Sequence, residues 1–175
     1  MKKNILFKLL SVLLVVGLAS GVFATAAQAR RPGSTIVEIA AGNSNFSTLV
    51  AAVVKADLVD TLNGNRMFTV FAPTNAAFDA AAEAVLGPGN NGLDLVNALD
   101  KATLRSILLY HVAPGERFSP DVLGAQRIRT VSKGFIFVEG TTLVGNNSSA
   151  NLIPSLVDID ASNGVIHAID FVLLP

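Results

Sequence analysis

Two histidines, His111 and His167, are the residues best suited to proton transfer or metal ligation, because imidazole titrates near neutrality. A metal ion would take both together with a carboxylate such as Asp170. Their settings favour structural roles. His167 alternates with Ile169 and Phe171 along a strand-like run, and His111 ends an apolar helical run. A buried imidazole then needs a hydrogen-bond partner, since an unpaired donor costs about 1–3 kcal/mol. Gly87-x-Gly89-x-x-Gly92 matches the dinucleotide fingerprint letter for letter. That fingerprint must leave a strand and open a helix onto a pyrophosphate, whereas here it follows a helical pattern and holds Pro88 within the turn. It reads as a connector. Asp158-x-Asp160-x-Ser162-Asn163-Gly164 begins like a calcium loop, but its glycine falls one place late and Ile169 stands where the bidentate glutamate belongs. Asn163-Gly164 reads instead as the two-residue turn of a hairpin, with positive φ at both positions. There is no G-x-S-x-G elbow, and the absence of cysteine excludes thiolate nucleophiles, disulfides and zinc ribbons. No catalytic residue, cofactor site or metal site is assigned.

The elements that position these residues begin after an export signal. The chain has 175 residues and a mean hydropathy of +0.53, and much of that apolar excess lies at the front. Lys2, Lys3 and Lys8 form a positive region, Leu9 to Leu18 is almost unbroken apolar sequence, and Ala27-Gln28-Ala29 is a signal-peptidase pattern. Residues 1–29 are therefore expected to be removed, with 30–34 a flexible leader and 35–175 the folded domain. No second apolar stretch approaches spanning length, so no membrane span is expected after cleavage, and the product should be extracellular or periplasmic. The remaining 146 residues carry 10 basic and 13 acidic side chains, a net charge of −3. Nucleic acid is not expected as a partner, because the net negative charge leaves no broad basic face to hold it. Arg127, Arg129 and Lys133 form the densest basic group, and strand alternation places them on one solvated face.

Thr35-Ile36-Val37-Glu38 is a capping box that opens a short helix ending at Gly42. Phe46, Leu49, Val50, Val53 and Val54 carry a second helix to about Leu62. Met67 to Ala72 is a buried strand ended by Pro73, and Thr74 caps a helix bearing Phe78, Ala81, Ala82 and Val85. Leu93 to Leu109 is the longest helical pattern. Strands are expected near 127–131, 135–139, 141–145, 150–153, 156–160 and 165–173. Helices early and strands late describe an α+β domain.

Two segments are more specific. Phe68-Thr69-Val70-Phe71-Ala72-Pro73-Thr74-Asn75-Ala76-Ala77-Phe78 resembles the first signature block of the fasciclin domain, and the run from Asn163 to Pro175 resembles its closing block. Between them, Leu108-Leu109-Tyr110-His111-Val112 is similar to the family's tyrosine–histidine segment. The resemblance covers Thr35 to Pro175 and implies a single-domain, secreted, bacterial member. It also implies a fasciclin-like wedge of two β-sheets with a packed helical layer, in which Thr69, Pro73, Thr74, Asn75, Asn163, Gly164 and His167 serve the fold. For function it implies a non-catalytic adhesion module with an extracellular protein, matrix or cell-surface partner. Tyr110, His111, Asp158 and Ile159 match the positions that bind partners in animal members. Asp160 departs from the pattern, since integrin-binding members carry Leu or Met there, so adhesion carries over as a class without its receptor. The alternative is a carrier of an apolar, carotenoid-like small molecule, as in some algal members. An exposed apolar groove would favour the carrier, and a flat polar face would favour adhesion.

Overall fold

The computed structural model describes residues 33–175, so the expected signal peptide lies outside the described residues. The capping box closes in both directions, with Thr35 Oγ1 accepting from Glu38 N at 3.2 Å and Glu38 Oε2 accepting from Thr35 N at 2.7 Å. It opens α1 (Ile36–Gly42). A 3-10 turn then leads into α2 (Ser47–Lys55), and α3 (Val59–Leu62) follows. The single helix expected from Phe46 to Leu62 is thus broken. Asp57 takes φ 56°, a left-handed conformation that Asp tolerates better than most residues. The break is held from outside, because Arg105 donates to the carbonyls of Ala56 and Asp57 at 3.1 and 3.0 Å.

Strand β1 (Phe68–Pro73) runs straight into α4 (Asn75–Leu86), capped by Thr74 Oγ1 on Ala77 N at 3.3 Å. Val85, one of the apolar residues expected on this helix, is 59% exposed. The long helix expected over Leu93–Leu109 is two helices, α5 (Gly92–Ala98) and α6 (Lys101–Tyr110). The divide is chemical: Asp100 is an N-cap whose carboxylate accepts from the amides of Ala102 and Thr103, so the chain restarts there. Two elements had no expectation, β2 (Val112–Pro114) and α7 (Ser119–Leu123). Strands β3 (Arg127–Arg129), β4 (Phe135–Glu139), β5 (Thr142–Val144), β6 (Ser149–Asn151), β7 (Ile159–Ala161) and β8 (Gly164–Ile169) lie within or beside the expected ranges.

The strands form two four-stranded sheets, ordered β2-β1-β8-β7 and β3-β4-β5-β6. In the first, β1 and β8 pair in parallel, from Phe68 beside Gly164 to Pro73 beside Ile169. Both strands are buried throughout, which suits their continuous apolar sequence. This sheet is a partition. Phe68, Val70, Ala72, Ile166 and Ala168 feed a core shared with the helices, while Phe71 and Ile169 feed a second core with Ile128, Ile136 and Leu143 of the other sheet. The α+β wedge with a helical layer is the observed architecture.

Two local expectations need correction. The turn between β7 and β8 consists of Ser162 and Asn163, since Ala161 pairs with Gly164, and Asn163 does not have positive φ. Gly164 does have the expected positive φ, at 147°, and packing requires the glycine as well. A Cβ there would lie 1.8 Å from the carbonyl oxygen of Phe68. Lys133 is not a strand residue; it sits in the turn after β3 at φ 73°.

Candidate functional site

The polar residues of β1 and β8 hold the connection after β2 onto the first sheet. Thr69, fully buried, donates its hydroxyl to Gly115 O at 2.8 Å and accepts from Arg117 N at 2.9 Å. On the neighbouring strand, His167 Nε2 meets Arg117 O at 2.8 Å, while Nδ1 accepts from Asp158 N at 3.2 Å. This pattern fixes the neutral tautomer with the proton on Nε2. The ring stacks on Phe71 with centroids 5.9 Å apart. Burial holds the His167 pKa below its ordinary value, against the opposing pull of the Arg117 carbonyl and the Asp158 carboxylate.

Asp158 takes φ 57° and turns its carboxylate toward α7. Oδ1 accepts from Ser119 N at 2.6 Å and Oδ2 accepts the Ser119 hydroxyl. The N-cap position of α7 is Phe118, which has no side-chain acceptor, so Asp158 supplies the cap from a distant part of the chain. Burial pushes its pKa up, but the two bonds from Ser119 and the nearby His167 outweigh this and hold it below the usual carboxylate value. The sequence places Asp158 in solvent beside a turn. The structure makes it a tether with a side chain 34% exposed. Ser119, Asp158 and His167 are neighbours, yet the hydroxyl bonds the carboxylate and both ring nitrogens are engaged elsewhere. A nucleophilic triad needs the imidazole on the hydroxyl, which this order does not provide.

Tyr110 and His111 end α6 in the interior. Tyr110 is fully buried and donates its hydroxyl to Phe135 O at 2.6 Å, and burial raises its pKa. Its ring fills the space over Gly134, where a Cβ would lie 2.6 Å from Tyr110 Cε2. His111 donates from Nδ1 to Ile107 O at 2.8 Å and accepts at Nε2 from Leu173 N at 2.9 Å. Burial lowers its pKa to about 4, opposed by the bond to Ile107. The four residues matched to partner-binding positions therefore do not share one surface. Tyr110 and His111 are interior, Asp158 caps α7, and Ile159 packs partly buried on the edge strand β7 against the helical core.

Asn163 is the latch of the closing block. Its Oδ1 accepts from Ile36 N at 2.9 Å and its Nδ2 donates to Leu62 O at 2.6 Å, tying the ends of α1 and α3 to the β7–β8 turn. Asn75 does the same for α2, accepting from Thr48 N at 3.0 Å and donating to Ser44 O at 2.8 Å. Pro73 ends β1 and leaves Thr74 to cap α4. Asp170, the carboxylate considered for a metal, is bonded to Asn151 N at 2.6 Å and Asn151 Nδ2 at 2.9 Å. Among the described residues, no group of three or more His, Asp or Glu could hold a metal ion. Among them, too, no single helix is long and apolar enough to cross a membrane.

Two surface features escaped the sequence reading. The first is a cleft of about 360 Å³ between α4, α5, α6 and the C-terminal segment, lined mainly by Phe78, Val85, Leu99, Ile107, Phe171 and Leu174. The second is the outer face of the β3-β4-β5-β6 sheet, where Arg127 stands opposite Phe137 and Arg129 opposite Phe135. Both Phe side chains are exposed, and the Arg127 guanidinium lies 4.9 Å from the Phe135 ring centroid. The continuous apolar run Phe135–Val138 hid this face, although Phe at alternate positions was the available signal.

A family profile described as the fasciclin domain matches residues 44–175. Protein sll1483 of Synechocystis is 45% identical over 145 residues, covering 81% of this chain and 73% of that protein. Transforming growth factor-beta-induced protein ig-h3 of Sus scrofa is 36% identical over 145 residues, 82% of this chain and 20% of that protein. Among solved structures, a FAS1 domain pair from the insect cell adhesion molecule Fasciclin I matches with a TM-score of 0.67 and 22% identity, over 81% of this chain and 51% of that one.

Proposed function

The chain belongs to the fasciclin domain family, and from that premise we propose that it is an exported, non-catalytic contact module that attaches to a cell surface or extracellular matrix. The observation that carries this reading is the outer face of the second sheet. It exposes two Phe side chains framed by arginines, residue types enriched in the energetic centres of interfaces. The reading is supported by the adhesion role named for the insect relative of like fold. On this reading residues 1–29 are removed on export, 30–34 form a leader, and 35–175 are the working domain. The test is attachment of cells or matrix proteins to surfaces coated with the purified protein. Attachment above a coated albumin control is expected, and none would overturn the reading. N-terminal sequencing of exported protein should give a start near Arg30.

The cleft favours a second reading, carriage of an apolar small molecule. Its volume lies within the range of ligand pockets, and its lining is almost wholly apolar. Mass spectrometry of solvent extracts from natively purified protein decides this point: a stoichiometric apolar compound supports the carrier and its absence removes it.

A further inference from the structure

The outer face of the second sheet continues into an open basin, and together they define the chemistry of a partner; this inference rests on the contact-module reading. The β3–β4 register makes a two-by-two block of Arg127, Arg129, Phe135 and Phe137 on one face, with Ile128 and Ile136 buried behind it. Phe135 is 36% exposed and Phe137 46%. Beyond Arg129, the basin is lined by Arg129, Arg66 and Lys133. Residues 33–175 contain eight Lys and Arg against thirteen Asp and Glu. Three of the other cations are engaged, Lys55 and Arg105 on backbone carbonyls and Lys101 on Asp57. Arg66, Arg127, Arg129 and Lys133 are half of the total, and none of them is in an ion pair with another described residue. An acidic domain thus carries one positive strip, bounded on β4 by the exposed Glu139.

We infer that this strip binds an acidic polysaccharide whose sugar rings bear carboxylates. Each component of the strip matches part of such a polymer. Guanidinium groups hold carboxylates through two parallel hydrogen bonds, and more strongly than an ammonium does. The exposed Phe rings offer flat apolar surface to the C–H faces of sugar rings. Neighbouring strands lie about 4.8 Å apart, so an extended chain crossing them meets Arg and then Phe in successive steps. A single-stranded nucleic acid would use similar stacking and charge. The contact-module reading sets the partner on a cell surface or in extracellular matrix, which favours a structural polysaccharide over nucleic acid, and the oligonucleotide gel is the arm that separates them.

The experiment is affinity electrophoresis of the exported chain through gels containing polygalacturonate, neutral dextran, polyglutamate or a single-stranded oligonucleotide. Retardation by polygalacturonate is expected, with none by dextran. The Arg127→Ala, Arg129→Ala double variant should bind about tenfold more weakly, and Phe137→Ala about fivefold more weakly with both arginines intact. Lys101→Ala should bind as the parent, and all variants should melt as the parent does. No retardation by polygalacturonate, an unaffected arginine variant, or tighter binding to polyglutamate or the oligonucleotide overturns the inference. Loss in the arginine variant with none in Phe137→Ala reduces the effect to ion exchange and also overturns it. Cell attachment without polygalacturonate binding sinks this partner class and leaves the contact-module reading standing. Polygalacturonate binding without attachment does the reverse.

Discussion

The two sheets of this domain have the same number of strands and opposite relations to solvent. In β2-β1-β8-β7 the central strands are buried on both faces, so every polar group on them must find a partner inside. Thr69 and His167 both do, using the same short connection at Gly115 and Arg117. In β3-β4-β5-β6 the central strand β4 alternates exposed and buried positions over most of its length. Its inner residues build the second core, and its outer ones, Phe135 and Phe137, complete no protein contact of that kind. The first sheet uses its distinctive residues to stay folded. The second keeps residues of interface type on an open face.

Substitutions that separate these two behaviours should differ about eightfold or more in free energy. The largest belongs to Gly164→Ala. Its Cβ would overlap the Phe68 carbonyl at the parallel pairing of β1 and β8, where neither backbone can retreat, so a loss above about 4 kcal/mol and no cooperative unfolding transition are expected. A folded, cooperatively melting variant would show that the central sheet is softer than drawn.

The next effect comes from pH. The folded-state pKa of His111 is about 4 against 6.5 for the free group, so between these values the unfolded chain binds more protons than the native one. Stability should fall as pH drops through this window, by roughly 3 kcal/mol in all for this group, and then level off. His167, also lowered, acts in the same direction. Urea midpoints at pH 7 and pH 4.5 measure the fall, and a flat profile would show that the buried imidazoles accept a proton without cost.

Asp158→Asn should cost about 1 kcal/mol, through weaker acceptance of the two Ser119 bonds. A change of only a few tenths, as for a solvated carboxylate, would return this residue to the surface. The smallest effect is reserved for the open face. Phe137→Ser should stay within about 0.5 kcal/mol of the parent by thermal unfolding. A larger loss would mean that the outer face stabilises the fold and is not free for another molecule.

Much of the architecture was readable because its signals are local. The capping box at Thr35, the strand-to-helix change at Pro73 and Thr74, and the succession of short late strands each lie within a few residues. The two helix breaks were missed for different reasons. Asp100 announces a new N-cap only if a cap is weighed above apolar spacing, whereas the break at Asp57 depends on Arg105, far along the chain. The candidate site shows the same limit. Sequence identifies Tyr110, His111, Asp158 and Ile159 by their blocks, and the apolar helix before His111 already points to its burial, but the bond of Asp158 to Ser119, 39 positions away, has no local signal. The acceptor for His167 is a backbone carbonyl, which has no sequence signature at all.

The long reach of Asn163 has a kinetic consequence. Its bonds to Ile36 and Leu62 join residues 127 and 101 positions apart, and the parallel pairing of β1 with β8 brings the beginning and end of the domain together in the same way. Chain closure over such distances costs entropy before any contact rewards it, so a topology of this kind crosses its folding barrier late and slowly. A chain that has not yet released its final strand cannot form its central sheet. Until β8 emerges, β1 has only β2 beside it, and the partition between the two cores stays open.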